Sequence, residues 1–397
     1  MKLTKRIGLI KPSPTLAITM KANALKAQGK DIIGFGAGEP DFDTPNHIKQ
    51  AAVEAIEAGF TKYTPVGGVD ELKDAIIQKL KSDNGLAYGR PQVAVSCGAK
   101  HTLYNLAQVL FEEGDEVLIP SPYWVSYPDI VVLTGAKPVI LKTKAADGFK
   151  VLPEQLAGAI TARTRALVLN SPSNPSGVAY SKAELEAFAD ILKDRDMLVL
   201  SDDIYEKILY DDFPFYNIAS VSEAMKDKAV VVNGVSKTYA MTGWRIGYAA
   251  GPETVIDALT KLQSQNTSNP TSIAQKASVA ALSGDQGCVA DMVREFKRRR
   301  DAIVRGLNAI PGITCMNPQG AFYVFPDVSA LYGRSFQGKR IAGSSEFSAY
   351  LLDEAGVAVV PGAEFGHDEH LRLSYATSMA NIEKGVERIK EAVVKLD

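Results

Sequence analysis

The sequence predicts an α/β fold: a mostly parallel central sheet flanked by helices, with a smaller α/β domain. From about Asp70 to Gly251, short apolar runs alternate with amphipathic segments, which is the pattern of parallel strands covered by helices. After Gly284 the pattern changes to a long charged helix followed by shorter elements. With 397 residues, 46% of them apolar, the chain is long enough for two domains.

Five apolar runs are the predicted strands of the central sheet: VAVSC, EVLIP, ALVLN, MLVLS and VVVNG. Helical patterns such as ELKDAIIQKLK lie between them. Ser181 and Glu184 form a capping box that predicts the start of one helix. Gly85 follows KLKSDN and predicts the end of another.

The C-terminal part predicts a helix over DMVREFKRRRDAIVRGL, then AFYVF, a helix near SEFSAYLLDEAG, the strand LRLSYA and a terminal helix. The segment before about residue 47 is short and rich in proline, so we expect it to pack on this C-terminal unit. The predicted domains are therefore residues 47–284 for the large one, and residues 1–46 with 285–397 for the small one.

The charge balance favours small-molecule partners. The chain has 44 basic and 46 acidic residues, a net charge of -2, so neither a nucleic acid nor a membrane surface is a predicted partner. The KRRR run that starts at Lys297 is predicted to be a solvated helix face. No window approaches the roughly 20 apolar residues of a membrane span.

Cysteine and histidine usage predicts neither disulfides nor a metal. The three cysteines are odd in number and far apart, which fits no disulfide framework or zinc site and favours a reducing compartment. The apolar part of the N-terminus is broken by Lys11 and Pro12 before a signal sequence develops, so we expect a cytoplasmic protein or an organellar one that has already been trimmed. The four histidines show no metal-ligand spacing and are interpreted as structural.

Candidate ligand-binding residues follow several predicted strands, where ligands of open α/β sheets bind. They are Gly98, Ala99 and Lys100 after VAVSC, Asn174 after ALVLN, Asp202 after MLVLS and Lys237 after VVVNG. Each has a plainer interpretation: the CGAKH turn could simply begin a helix rather than bind phosphate. Asp202 could cap a turn and Asn174 could form an Asn-Pro turn. Arg245 needs an anionic partner if it is buried.

The segment GVSKTYAMTGWRIG, residues 234–247, resembles the lysine signature of class I aminotransferases of fold type I, which use pyridoxal 5'-phosphate (PLP). The motifs AGEPDFDTP, KYTPVGG, SPYWVSYP, SPSNPSG, SDDIYE and LRLSYAT occur in the order of that family. The similarity is greatest to its subgroup Ib, the prokaryotic-type aspartate enzymes. It implies the PLP-dependent transferase fold type I, PLP as cofactor, and amino acids and 2-oxo acids as substrates.

The resemblance implies that Lys237 binds PLP covalently and then acts as the general base. Burial of a lysine disfavours its charged form, which makes the amine available for both roles. By the same resemblance, Asp202 pairs with the ring nitrogen of PLP, and Asn174 and Tyr205 donate to its ring oxygen. Trp124 stacks on the ring or, alternatively, only packs in the core.

The resemblance assigns phosphate binding to Gly98, Ala99, Lys100, Arg245 and, from a second subunit, Tyr63. A shared site of this kind implies a homodimer, whereas the plainer interpretation of Tyr63 is local packing. Many relatives have serine three residues before the lysine, but this chain has Gly234, and Ser236 could replace the missing hydroxyl.

For the substrate, the resemblance implies that Arg372 holds the α-carboxylate, although it could also be a surface arginine. The residues that complete this end of the pocket would be Asn174, Trp124 and Gly38. The residues associated with a side-chain carboxylate are Ser13, Thr15 and Lys100, and Lys11 bears on prephenate.

The implied reaction is reversible ping-pong amino transfer between L-aspartate and 2-oxoglutarate, giving oxaloacetate and L-glutamate, with prephenate as a further substrate. Alternatives are an aromatic or broad-specificity enzyme of the same class, and a non-catalytic PLP-binding regulator, which would need a DNA-binding module before Lys11. A nucleotide-dependent oxidoreductase is disfavoured because GFGAGEP lacks a GxGxxG turn leading into a helix.

Overall fold

A seven-stranded sheet lies at the centre of the computed structural model. The structure describes residues 2–10, 12 and 14–397, without the side chains of residues 14–16 and 19. Within these residues the strands are β1 Ile33–Gly34, β2 Val93–Ser96, β3 Glu116–Ser121, β4 Lys137–Lys142, β5 Thr164–Asn170, β6 Leu198–Asp202, β7 Ala229–Gly234, β8 Gly247–Ala250, β9 Tyr323–Val324, β10 Ser335–Phe336, β11 Lys339–Arg340, β12 Val357–Ala358, β13 Val360–Pro361 and β14 Leu371–Ser374.

Helices cover the sheet and form much of the C-terminal part. The α-helices of the described chain are α1 Pro14–Ala27, α2 Asn46–Glu57, α3 Asp70–Asn84, α4 Ala99–Leu110, α5 Ser126–Val132, α6 Pro153–Ala159, α7 Lys182–Leu192, α8 Glu223–Lys226, α9 Glu253–Asn266, α10 Ser272–Ser283, α11 Gly287–Asn308, α12 Ser344–Ala355 and α13 Met379–Val394. None of these helices is both long enough and apolar enough to cross a membrane.

The strand order of the large sheet is β2-β8-β7-β6-β5-β3-β4. All neighbours are parallel except β8, which runs against both β2 and β7. Asn170 is paired with Asp202, and Asp202 with Val232, so β5, β6 and β7 end at nearly the same level. The predicted ligand residues therefore meet at one edge of the sheet.

The five predicted strands of the sheet are confirmed as β2, β3, β5, β6 and β7. The caps are confirmed too: the hydroxyl of Ser181 accepts from the backbone N–H of Glu184, and Gly85 ends α3 with φ 68°. The sequence analysis missed β4 and β8. β4 is an edge strand with exposed lysines at both ends, and β8 has only four residues, three of them glycine or alanine.

The apolar core forms separate clusters. Two contain buried residues of the large sheet and the helices that cover it, such as Leu118 and Val230. A third joins Phe35 of the N-terminal part to Phe347 and Leu373 of the C-terminal part, and β1 pairs with β12. The N-terminal segment therefore packs where we expected. The domain limits at residues 47 and 284 stay predictions.

The KRRR run is not a solvated face, and that prediction was wrong. Arg298 is exposed and Lys297 is half-buried, whereas Arg299 and Arg300 are buried. Four consecutive residues of an α-helix point in four directions about 100° apart, so some must face the protein. Arg300 is bound there by Asp211 and Asp301, each at 2.6 Å.

Candidate active site

A cavity of about 600 Å³ lies at the carboxyl edge of the large sheet. It brings together most of the residues named from the sequence: Gly38, Ala99, Lys100, Trp124, Asn174, Asp202, Tyr205, Lys237, Arg245 and Arg372. These residues are spread over more than 300 positions of the chain. The parallel strands bring Asn174, Asp202 and Lys237 together, and Arg372 comes from β14 of a separate sheet.

Lys237 lies in the turn after β7, and its amine donates a hydrogen bond to the carbonyl oxygen of Gly38 at 2.5 Å. Burial lowers the pKa of Lys237 to about 8. The charge of Glu39 opposes the pKa shift, whereas Arg245 and Arg372 add to it. The amine is therefore mostly protonated near pH 7, but its neutral fraction, about a tenth, is far larger than that of an ordinary lysine and can serve as a nucleophile or base.

Asp202 is the last residue of β6 and is buried. The hydroxyl of Tyr127 donates to its carboxylate at 2.6 Å, and the N–H of Ile204 donates at 3.4 Å, so Asp202 also makes the turn contact of its plainer interpretation. Burial raises the pKa of Asp202 to about 6 against these hydrogen bonds and the charge of Lys237. A cationic group in the cavity would favour the ionised carboxylate.

Arg372 lies on β14 and is 2% exposed, so it is no surface arginine. Its guanidinium donates to the side-chain oxygen of Asn174 at 3.1 Å and to the carbonyl oxygen of Gly36 at 2.7 Å. Among the described side chains no carboxylate pairs with it, and its Nε is buried without a partner. A buried cation of this kind calls for an anionic ligand.

Two tyrosines and an asparagine line the middle of the cavity. The hydroxyls of Tyr205 and Tyr323 are 2.8 Å apart, and Tyr323 also stacks under Arg372 with its ring centroid 4.7 Å from the guanidinium carbon. Because the oxygen of Asn174 accepts from Arg372, the amide N–H₂ of Asn174 remains as a donor toward the cavity. The analysis of the sequence missed Tyr127 and Tyr323. Tyr127 was visible within SPYWVSYP, but nothing local linked it to Asp202.

The other end of the cavity is suited to an anion. Gly98 has φ 92° and directly precedes α4, and a Cβ there would lie 2.2 Å from a nitrogen of Arg245. A Cβ on Gly247 would lie 2.2 Å from the backbone nitrogen of Ala99. The glycines thus let Arg245 and the helix N-terminus approach each other, which concentrates N–H donors. Arg245 is exposed to the cavity, not buried.

The structure explains the glycine at position 234. A Cβ there would lie 2.8 Å from the carbonyl oxygen of Ile246 and 3.0 Å from Cα of Gly247, so a serine does not fit this backbone without a shift. Ser236 lines the cavity instead. The hydroxyl of Ser236 is therefore the candidate replacement for the one that Gly234 lacks.

Several named residues lie elsewhere. Tyr63 is 91% exposed and does not line this cavity. Lys11 and Ser13 lie outside the described residues, as does the side chain of Thr15.

Lys100 lies at the cavity with its amine 4.8 Å from the ring centroid of Trp124, and Trp124 packs edge-on against Tyr127 at 5.2 Å.

Two of the histidines interpreted as structural lie close to a glutamate. Ligand atoms of His367, Glu369 and His370 are within 4.8 Å of one another, a spacing that could hold a metal ion. Both imidazoles also pack edge-on against Phe149, and Nε2 of His367 lies 3.3 Å from the hydroxyl of Ser121. The expected absence of a metal site therefore stays a prediction.

Comparison with known proteins identifies the family. The sequence matches the family description "Aminotransferase class I and II" over residues 30–389. The chain belongs to this aminotransferase family. A curated relative, the aspartate/prephenate aminotransferase of Nitrosomonas europaea, is 52% identical over 98% of this chain and 99% of its own length.

Solved structures agree with the fold. The aspartate aminotransferase from Rhizobium meliloti superposes with a TM-score of 0.97 at 48% identity, over the full length of both chains. The aspartate aminotransferase from Thermus thermophilus with maleate gives 0.93 at 42% identity, covering 99% of this chain and 100% of that one. The predicted fold type and enzyme class are confirmed, and the protein is a PLP-dependent aminotransferase.

The cavity residues fit PLP. The half-buried amine of Lys237 and the buried carboxylate of Asp202 lie in the same cavity. PLP has an aldehyde, which reacts with an amine, and a ring nitrogen, which pairs with a carboxylate. The glycine cradle at Gly98 and Gly247, next to Arg245, matches a phosphate group. The cavity therefore offers a partner for the aldehyde, the ring nitrogen and the phosphate of PLP.

Proposed function

We propose that this aminotransferase catalyses reversible ping-pong amino transfer between L-aspartate and 2-oxoglutarate, giving oxaloacetate and L-glutamate. The observation that carries the proposal is the buried Arg372, which has no acidic partner among the described side chains and shares a cavity with Lys237. An α-carboxylate supplies the missing charge, and the planar guanidinium can bind it through two parallel hydrogen bonds.

PLP, when bound, supplies the aldehyde that takes up the amino group and the ring that withdraws electrons from the substrate. We assign Lys237 as its covalent anchor, Asp202 as the partner of its ring nitrogen, and Asn174 and Tyr205 as donors to its ring oxygen. Trp124 would lie against the ring. The phosphate would be held by Gly98, Ala99, Lys100 and Arg245, with Ser236 in place of the hydroxyl that Gly234 lacks.

Proton transfer is the work of Lys237. With the substrate bound, Nζ of Lys237 would remove the proton from Cα of the substrate and would deliver it to the carbon through which the cofactor takes up the amino group. The pKa of about 8 suits this role, because it lies near the working pH, where an amine can both accept a proton and donate it again. Asp202 stays ionised and keeps the ring nitrogen protonated.

Specificity for a dicarboxylate would come from a second cation. Lys100 supports this because its amine reaches the cavity beside Trp124. The Thermus thermophilus protein is described with maleate, which is a dicarboxylate. We keep Ser13 and Thr15 as further candidates for this end, and Lys11 for prephenate, a substrate named for the Nitrosomonas europaea relative.

We further propose a C2 homodimer in which Tyr63 reaches the phosphate of the neighbouring subunit. Tyr63 is 91% exposed and lies away from the cavity of its own chain, and Val53 and Ile56 of α2 are exposed apolar residues nearby in sequence. Light scattering of the purified protein should give about twice the 42.7 kDa of one chain. Tyr63→Phe should leave that mass unchanged and weaken PLP binding. A monomer with full activity would contradict the shared site.

We also propose a cytoplasmic location, since Cys97, Cys288 and Cys315 are all free thiols. Cell fractionation would test it.

A substrate panel tests the reaction. Aspartate, glutamate, tyrosine and prephenate are each added to the PLP-loaded protein, and loss of the visible absorbance is followed with the oxo acid produced. We expect aspartate and glutamate to react fastest. Reaction with glutamate and prephenate but not with aspartate would retain the enzyme class and remove the aspartate assignment. An unchanged spectrum with every amino acid would favour the non-catalytic regulator.

A further inference from the structure

A buried polar network is formed by Lys79, Asn84, Glu206 and Asn233, none of which lines the cavity. Nζ of Lys79 forms an ion pair with Oε1 of Glu206 and donates to the side-chain oxygen of Asn84 at 2.8 Å. The amide of Asn84 donates to Oε2 of Glu206 at 2.9 Å, and the amide of Asn233 donates to Oε1 at 2.9 Å. Both oxygens of Glu206 are thus engaged.

The network joins three separate elements. Lys79 and Asn84 belong to the end of α3, Glu206 to the segment after β6, and Asn233 to the end of β7. Lys79, Glu206 and Asn233 are 7%, 5% and 2% exposed, so the pairing takes place away from solvent. A charge pair in such a setting contributes little to stability once the cost of its desolvation is counted.

Two residues of the network, Glu206 and Asn233, are close in sequence to the proposed catalytic residues. Glu206 directly follows Tyr205 and lies four residues after Asp202. On the other side, the oxygen of the Asn233 side chain accepts from the N–H of Gly234 at 2.7 Å, three residues before Lys237. One carboxylate therefore holds both the segment that carries Asp202 and the strand end from which Lys237 departs.

We propose that Glu206, held by Lys79 and linked through Asn233, is a positioning residue that sets the separation between the amine of Lys237 and the carboxylate of Asp202. The inference rests on the roles proposed above for Lys237 and Asp202. Because the Coulomb interaction between two charges depends on their separation, a change in that separation alters proton affinity at Lys237 as well as the rate.

Other ionisable groups also surround Glu206. Asp83 lies 3.9 Å from Lys79 and 2.8 Å from Lys207 on the outer side of the network. The charges of Asp203 and Glu206 disfavour each other, but Asp203 is held by the hydroxyl of Ser201 at 2.7 Å and by the amide of Asn217. Tyr239 and Tyr248 also lie within the field of Glu206. Among the side chains named here, that of Glu206 is hydrogen-bonded to Asn233 of β7. Asp203 contacts β7 through its backbone, whose N–H donates to the carbonyl oxygen of Val232 at 2.9 Å.

The experiment compares two variants of the PLP-loaded enzyme. Lys79→Met with Glu206→Gln removes both charges together, so no buried charge is left unpaired. Asn233→Ala leaves the ion pair intact and cuts only the link to β7. For each we measure the pH midpoint of the visible absorbance, kcat and KM for aspartate, and the thermal unfolding temperature.

We expect both variants to shift the midpoint by about 0.5–1 pH unit and to lower kcat roughly tenfold or more, with KM changed less than kcat. The matched control is Arg300→Met, which removes a buried cation of α11 and its ion pairs with Asp211 and Asp301. It should lower the unfolding temperature without moving the midpoint.

A purely structural network gives the opposite pattern: lower unfolding temperatures with midpoint and kcat unchanged, which would overturn the proposal. If the charge-free double variant does not fold, Asn233→Ala alone decides the outcome. Borohydride reduction and peptide mass mapping of the unmodified enzyme separate this result from failure of the proposed function. An adduct away from Lys237 would overturn the site assignment, whereas an adduct on Lys237 with unshifted variants would overturn the positioning role alone.

Discussion

Arg300 and Arg372 are equally buried, each 2% exposed, but they lie in different surroundings. Arg300 on α11 is bound by the carboxylates of Asp211 and Asp301 and lies over the ring of Tyr210. Arg372 also lies over aromatic rings, yet its hydrogen bonds go to an amide oxygen and a backbone carbonyl. The first cation is neutralised by the fold, and the second is kept for a ligand.

The carboxylates repeat the difference. Hydrogen bonds from Arg300 and Lys297 lower the pKa of Asp211 to about 2. Burial raises the pKa of Asp202 to about 6, and the hydrogen bond from Tyr127 and the charge of Lys237 offset this only in part. Of the four groups compared, the two that lack an ion-pair partner among the described side chains line the candidate active site, whereas the two paired ones lie elsewhere.

Replacing Arg372 with leucine should have the largest effect. Loss of the bidentate contact to the α-carboxylate should lower kcat/KM for aspartate by roughly 10²–10³-fold. Arg372→Lys, which keeps the charge and loses the planar fork, should recover only part of it. The unfolding temperature of the cofactor-free protein should not fall in Arg372→Leu. A loss of stability with unchanged kinetics would show that Arg372, like Arg300, has a structural role and does not bind the substrate.

Asp202→Asn should come next. A neutral amide cannot hold the ring nitrogen of the cofactor in its protonated form, so kcat should fall by roughly 10²-fold while the protein still binds PLP. Asp203→Asn, one residue further along and hydrogen-bonded away from the cavity, is the matched control and should retain most of kcat. Equal losses in the two variants would argue against a specific role for Asp202.

Arg300→Met tests the structural side of the comparison. We expect the free energy of unfolding to fall by about 1–3 kcal/mol, since Asp211 and Asp301 lose their partner but can be hydrated. Steady-state kcat/KM at 25 °C should change less than twofold. A larger kinetic effect would show that α11 is coupled to the cavity.

The smallest effect concerns pH. The raised pKa of Asp202 means that its neutral form is favoured in the folded state, so its stabilising contribution is present below about pH 4 and is lost as pH rises through 6. In the cofactor-free protein, Asp202→Asn should therefore unfold at a higher temperature than the parent at pH 8 and at the same temperature near pH 4. For Asp211→Asn the sign reverses, with a deficit at pH 5 that fades toward pH 2. Calorimetry at these pH values measures both.

The sequence predicted the strands of the sheet and the residues at their ends, because apolar runs and the lysine signature are both local patterns. It could not predict that Tyr127 donates to Asp202 or that Tyr323 meets Tyr205, since these contacts join residues 75 and 118 positions apart. The burial of Arg299 and Arg300 was missed for the same reason: their partners Asp41 and Asp211 lie on distant segments.

The reversed strand β8 has a geometric consequence. In a sheet whose other members all point the same way, a strand of opposite sense begins at the rim where its neighbours stop. Arg245 lies two residues before the start of β8, so its guanidinium lies at this edge of the sheet without a crossover helix leading into the strand. β8 also lies between β2 and β7 and so holds them two strand spacings apart, roughly 9–10 Å. This spacing separates the start of α4 from the turn that carries Lys237.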